Sequence, residues 1–430
     1  MVFLATAGAD VPRQRHHPRC QRGLMMVAAL TMITTTAAAT PLTLTEAFAA
    51  AWQRQPEAHA LPAWQAAVNA RAEAAASWLA APAAVELSAQ SDQFSDNLGS
   101  REYGAALALP LWLWAERAQS QQLATSERDA LTTITAAAML NLAAQVRSQW
   151  WQWQRAQVEV TLSQQQEAIA KQLQEDVHRR LQAGELSNAD QHLAKSQLLA
   201  AVSARNSAEL ALLQAQTELL ALTGWPPTRL LPLDAEAASE ALPELPPQLT
   251  AIDPAHPQLA ALLAQADVAK HSQALVATRR SANPELTLGV VTERDSYGED
   301  YQPSLQLAVR IPLGAGARHQ AELAAASAER LQLESRTALR QQQLLGELEL
   351  ARQRVTTSAA QARLADEQAR LAVESAAFYR RAFELGEADL PNQLRLLREA
   401  GDAVRSARLA VISHNEAISQ LRQALGVLPQ

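Results

Sequence analysis

Two stretches of this sequence, residues 115–182 and 317–385, each run for nearly seventy residues without a proline. Apolar side chains recur along them at helical spacing. Leu131, Ile134, Ala138, Leu142 and Val146 step by three or four, and Leu344, Leu348, Ala351 and Val355 follow a heptad-like seam. At about 1.5 Å of rise per residue, each stretch predicts a rod on the order of 100 Å long. No ordinary globular core accommodates such a rod, whereas a coiled coil or a helical barrel does. Composition points the same way: glycine is only 14 of 430 residues and aromatics 4 %, with alanine, leucine, glutamine and glutamate prominent. Those side chains lose little freedom in a helix, which argues against an all-β sandwich or a glycine-rich nucleotide-binding sheet.

The rods belong to a tandem repeat. Pro82 and Pro284, Pro110 and Pro312, Gly184 and Gly386, and Gly224 and Gly426 all recur at an offset of 202. Each half has the same order: a helix, a strand pair, a long helix, a Gly-Glu turn and a return helix. The first repeat spans 40–225, with a helix over Leu44–Ala80, a β-hairpin over 83–111, the long helix over 115–182 and the return over 188–222. The second spans 254–430, with a helix over Pro257–Ala282, a hairpin over 285–313, the long helix over 317–385 and the return over 391–425. Between them, 226–253 holds Pro226, Pro227, Pro243, Pro246 and Pro247, which exclude a long helix there.

The N-terminus reads as a leader. Arg13, Arg15, Arg19 and Arg22 precede the apolar run Leu24–Ile33, and Ala37-Ala38-Ala39 supplies a small-residue cleavage pattern, so residues 1–39 predict a secretory signal peptide. The single cysteine, Cys20, precedes the apolar run and is not placed for lipidation; one thiol also excludes a disulfide framework and a cysteine zinc site. Net charge is −7, and −10 without the leader, which argues against a basic nucleic-acid surface. There is no nucleophile elbow, phosphate loop or HExxH motif, and the histidines show no ligand spacing and read as surface residues. No catalytic residue, cofactor or metal site is expected.

The strands alternate. Val85, Leu87 and Ala89 interleave with Glu86, Ser88 and Gln90, and Leu305, Leu307, Val309 and Ile311 with Gln306, Ala308 and Arg310, giving one apolar and one polar face. An open four-stranded sheet leaves two bare edges. In a membrane such a sheet must close, because lipid cannot satisfy unpaired backbone groups, and a closed transmembrane barrel needs at least about eight strands. Copies of the chain must therefore share a barrel; two would supply eight strands and three would supply twelve.

The ordered set of features resembles the TolC family of outer-membrane efflux channels. The residues that carry the likeness are Leu42–Ala47, Asn283-Pro284-Glu285-Leu286, Leu109-Pro110-Leu111 with Ile311-Pro312-Leu313, and the turns around Gly184-Glu185 and Gly386-Glu387. The resemblance implies a mainly α fold with a small transmembrane β part: a homotrimer closing a 12-stranded β-barrel in the outer membrane of a Gram-negative bacterium above a periplasmic α-helical barrel. It also implies a passive exit duct, joined through a periplasmic adaptor to an inner-membrane pump of the resistance-nodulation-division type. Arg101-Glu102-Tyr103 leading into Pro110-Leu111-Trp112-Leu113 looks most like channels of the heavy-metal branch. The alternatives are a duct for drugs or other organic solutes, and a non-pore periplasmic coiled coil.

Site residues follow from that resemblance. The adaptor-docking tips would be Arg180, Leu181, Gly184, Glu185 and Ser187, and Arg381, Phe383, Leu385, Gly386 and Glu387. Glycine suits a tight helical reversal, so capping and docking are compatible. Asp190 and Asp389 would line a tunnel constriction or simply start the return helices. Trp112 and Trp114 would form a membrane-interface girdle or pack in a core. Trp150, Trp151 and Trp153 would pack midway along the first rod.

Overall fold

The computed structural model describes residues 42–230, 240–244, 251–314 and 316–429. The expected leader and its cleavage site lie outside the described residues, as does most of the inter-repeat segment. The chain runs α1 (Leu44–Gln53), α2 (Pro56–Ala76), β1 (Ala84–Ser91), β2 (Arg101–Pro110), α3 (Glu116–Gln182) and α4 (Asn188–Thr223). The second repeat supplies α5 (Pro257–Thr278), β3 (Glu285–Arg294), β4 (Gln302–Arg310), α6 (Gly316–Glu384) and α7 (Leu390–Ala424). The two rods are therefore helices of 67 and 69 residues.

One expected helix is broken. The segment Leu44–Ala80 forms two helices, because Pro56 holds Gln55 in extended backbone and itself takes the first position of α2. Thr43 starts α1 by accepting a hydrogen bond from the Glu46 N–H at 3.2 Å. Helix α2 stops at Ala76 and α5 at Thr278, each a few residues short of the expected end.

The strands form one antiparallel meander in the order β1-β2-β3-β4. Toward the sheet, α3 packs against α2 and α5; toward the opposite end it packs against α4, and α6 is flanked in the same way by α5 and then α7. The Leu344–Val355 seam is buried against Leu259, Ile418 and Leu421. The first seam is fully buried only from Leu142 onward, and Ile134 is 40 % exposed, because the described residues cover that face of α3 only in part.

The largest core lies midway along α3. Trp150, Trp151 and Trp153 are all but fully buried among Leu44, Ala47, Ala51, Leu219, Trp225 and Ile412. Three tryptophans within four positions point in different directions around a helix. All three are covered because α1, α4 and α7 surround α3 at this level. Trp150 and Trp153 meet edge-on at 5.2 Å, and the Trp151 indole N–H donates to Ser419 Oγ at 2.9 Å. Trp150→Ala is expected to cost about 3–5 kcal/mol, read as a lowered urea midpoint by tryptophan fluorescence.

One histidine departs from the surface reading. His256, at the start of α5, is 5 % exposed, and burial lowers its pKa below the ordinary value. A depressed histidine is stabilising while neutral, so its contribution is full above the unfolded-state pKa of about 6.5 and is lost as pH falls below it. The thermal midpoint is expected to drop on acidification through this range, and less so in His256→Gln.

Candidate functional site

The register divides the sheet into two unlike faces. Val85, Leu107, Leu288 and Leu307 align across all four strands; Leu87, Ala105, Val290 and Leu305 form the next row, and Leu109, Leu286 and Val309 another. Most of these side chains lie uncovered in the single chain, with Leu87 79 % exposed, Leu305 89 % and Leu307 69 %, while Leu109 and Leu286 are half-buried. The opposite face carries small and polar residues, with Glu86, Glu102, Glu285 and Glu293 against a single cation, Arg310. Strands of 8–10 residues match the length needed to cross hydrocarbon at a tilt. Among the described residues no helix is long and apolar enough to do so.

Aromatics mark both ends of the apolar band. At the helix-proximal end Trp114 is 96 % exposed, while Trp112 is half-buried, its indole N–H donating to the Ser77 carbonyl at 3.1 Å. Exposed Trp78 joins them, since the Ala80 N–H donates to the Pro110 carbonyl beneath β2. At the loop end lie Phe94, Tyr297 and Tyr301, the last two beside the Arg294 guanidinium.

A buried carboxylate anchors the sheet to the rods. Glu116, 1 % exposed at the start of α3, accepts from Arg279 Nε at 2.6 Å, Asn283 Nδ2 at 2.6 Å and the Leu113 N–H at 3.0 Å. Ala115 reaches this corner with φ +64°, a left-handed conformation that this network holds in place.

The far ends of the rods are two matching reversals. In the first, the Gly184 N–H donates to Leu181 and the Glu185 N–H to Arg180; in the second, Gly386 donates to Phe383 and Glu387 to Ala382. This is the Schellman closure, and both glycines sit at φ +80°, where a side chain is strained. Ser187 then caps α4 through a reciprocal box: its Oγ accepts from the Asp190 N–H, and Asp190 Oδ2 accepts from the Ser187 N–H at 2.9 Å. Asp389 occupies the equivalent position of α7, but its carboxylate accepts from the Asn392 side chain at 2.7 Å. Glu185, Ser187, Arg381, Leu385, Glu387 and Asp389 are exposed, whereas Leu181 and Asp190 are half-buried. Phe383 is 4 % exposed, packed with Leu173, Val177, Leu390 and Leu394. Arg180 crosses between the reversals, donating to the carbonyls of Phe383 at 2.9 Å and Glu384 at 3.1 Å, with its guanidinium 4.8 Å from the Phe383 ring.

The architecture has known counterparts among solved structures. The outer membrane protein VceC of Vibrio cholerae superposes with a TM-score of 0.71 at 15 % identity, over 89 % of this chain and 96 % of that one. CusC, whose structures concern transmembrane channel formation, gives 0.74 at 14 % identity over 90 % and 92 %. The open-state MtrE outer membrane channel of Neisseria gonorrhoeae gives 0.72 at 16 % identity over 89 % of each chain. The chain has the outer-membrane channel fold. No protein-family model and no curated protein sequence matches it.

Several residues that build this channel fold escape the sequence. Glu116 and Arg279 carry no local motif, Asn283 stands out only within Asn283-Pro284-Glu285-Leu286 and not as a partner of Glu116, and Glu240 lies in an irregular segment. Trp78 offered a signal, since it precedes a strand as Trp112 and Trp114 follow one.

Proposed function

We propose that the chain is the passive outer-membrane exit duct of a tripartite efflux system, working as a homotrimer whose sheets close a 12-stranded barrel. The observation that carries this reading is the uncovered apolar face of an open-edged sheet, bounded by aromatics at both ends. Such a face needs lipid outside it, and its bare edges need another sheet. The helical reversals are then the periplasmic tips. Exposed Glu185, Ser187, Arg381, Leu385 and Glu387, with half-buried Leu181, would meet an adaptor linked to an inner-membrane pump of the resistance-nodulation-division type, while Arg180 and Phe383 hold the two tips together. Asp190 and Asp389 would stand near the tunnel's narrow end. Trp78, Trp112 and Trp114 would sit at the periplasmic lipid interface.

The cargo we infer is heavy-metal cations. Four carboxylates against one arginine on the polar face of each sheet favour cations in the lumen. A deletion strain tested against metal salts, dyes and antibiotics decides the cargo. Selective metal sensitivity supports the inference, and sensitivity to organic compounds alone moves the duct to drug export. Arg180→Ala is expected to loosen the tips by about 1–3 kcal/mol. The readout is increased uptake of a large polar antibiotic across the outer membrane; unchanged uptake contradicts a holding role for Arg180.

A further inference from the structure

The two bare edges, β1 and β4, are each exposed along their whole length. The repeat supplies a template for how they meet. In the first hairpin Val85 lies opposite Leu107, and in the second Leu286 lies opposite Val309. Val309 stands three residues before Pro312 as Leu107 stands three before Pro110, so these are equivalent positions. The junction between repeats, β2 with β3, places Leu107 opposite Leu288 and Ala108 opposite Thr287. Val85 and Leu286 then correspond at an offset of 201, one less than the 202 that relates β2 to β4, so advancing that junction by one repeat places Val309 of β4 opposite Leu87 of β1 in the next copy, and Arg310 opposite Glu86.

We infer that copies of this chain join edge to edge in this register, with Arg310 of one copy paired to Glu86 of the next inside the lumen. The inference rests on the closed-barrel reading and adds its register. Two observations on the chain favour it. The register keeps Leu307, Val309 and Ile311 on the same face as Ala89, Leu87 and Val85, so the apolar band continues across the joint. A one-residue slip would turn one edge's apolar side chains to the lumen. A two-residue slip keeps the faces but sets Arg310 against Ala84 or Ser88. Within its own chain Arg310 stands opposite Glu285, and among the described residues neither Arg310 nor Glu86 forms an ion pair. The inferred register places the guanidinium between two carboxylates.

Paired cysteines test it in the full chain with Cys20→Ser. Opposite side chains have Cβ atoms about 4.5–5.5 Å apart, while diagonal neighbours are about 7–8 Å apart and too distant for a disulfide. Opposite pairs on the two faces alternate between closer and wider spacing, so one pair on each face is needed: Leu87→Cys with Val309→Cys, and Ser88→Cys with Ala308→Cys. Under mild oxidation of outer membranes, at least one of these is expected to give a covalent ladder ending at three copies, about tenfold above the slipped pair Ala89→Cys with Val309→Cys. Capture by the slipped pair instead, or by no pair while a non-covalent oligomer persists, overturns the register and leaves the channel reading standing. Absence of any oligomer overturns both. Charge reversal gives an independent readout: Arg310→Glu and Glu86→Arg each lower the yield of heat-resistant oligomer, and the double reversal restores it. A double reversal no better than the singles overturns the ion pair.

Discussion

Leu307→Arg is expected to abolish assembly in the outer membrane, while Gln306→Arg, one residue away, leaves it in place. Leu307 lies mid-strand in the row formed with Val85, Leu107 and Leu288, uncovered within the chain. On a lipid-facing wall an arginine near the bilayer midplane costs roughly 2–4 kcal/mol per copy. A trimer incurs it three times. Gln306 points to the opposite face, aligned with Glu86, Ala106 and Gly289, where water solvates an added charge. Cell fractionation and heat-modifiable mobility of the two variants measure the contrast. If both assemble equally well, the apolar face does not meet lipid.

Glu240→Ala is expected to be as damaging to the helical part as removal of a core tryptophan. Glu240 belongs to the segment between the repeats and is 6 % exposed. Its carboxylate accepts from Arg147 Nε at 2.9 Å and Arg147 Nη2 at 2.8 Å, and Arg422 Nε lies 3.1 Å away. Arg147 also donates to Gln423 and to the Val427 carbonyl, and Arg422 to the Ala241 carbonyl. Arg147 sits on α3 and Arg422 on α7, so one carboxylate joins both repeats to the connecting segment. Removing it leaves the buried Arg147 guanidinium without its counter-charge and takes one carboxylate from Arg422, at a cost of about 3–5 kcal/mol. The measurement is the urea midpoint together with the rate of proteolysis between the repeats. Replacing all three residues by apolar ones of similar volume is expected to recover much of the loss, because burying a charged cluster carries its own desolvation cost. A Glu240→Ala protein as stable as the parent contradicts the clamp.

The parts of this fold that were legible in the sequence are those encoded by short-range pattern. The proline-free rods, the alternating strands and the glycine reversals each follow from neighbours within a few residues, and the repeat let one half check the other. The break before Pro56 was legible too but was masked by the apolar periodicity on either side of it. Ile134 shows the opposite limit: helical spacing marks a seam, but exposure depends on which helix lies alongside. The tips were located by Gly184 and Gly386, yet the bond from Arg180 to the second tip joins residues more than 200 positions apart and has no local signature. The same holds for Glu116, whose side-chain partners Arg279 and Asn283 come from the other repeat, and for Glu240, whose arginines come from both repeats. A buried carboxylate in a helix-rich sequence looks like any surface glutamate until its arginines are placed around it.

Planar-bilayer recording of the purified protein tests the central claim most directly, namely that copies of the chain close a water-filled pore with their apolar faces in lipid. Stepwise conductance, with larger steps for Arg180→Ala, is the result predicted here. Bilayers that stay silent with both proteins, alongside a monomer that remains in the periplasmic fraction, would contradict it.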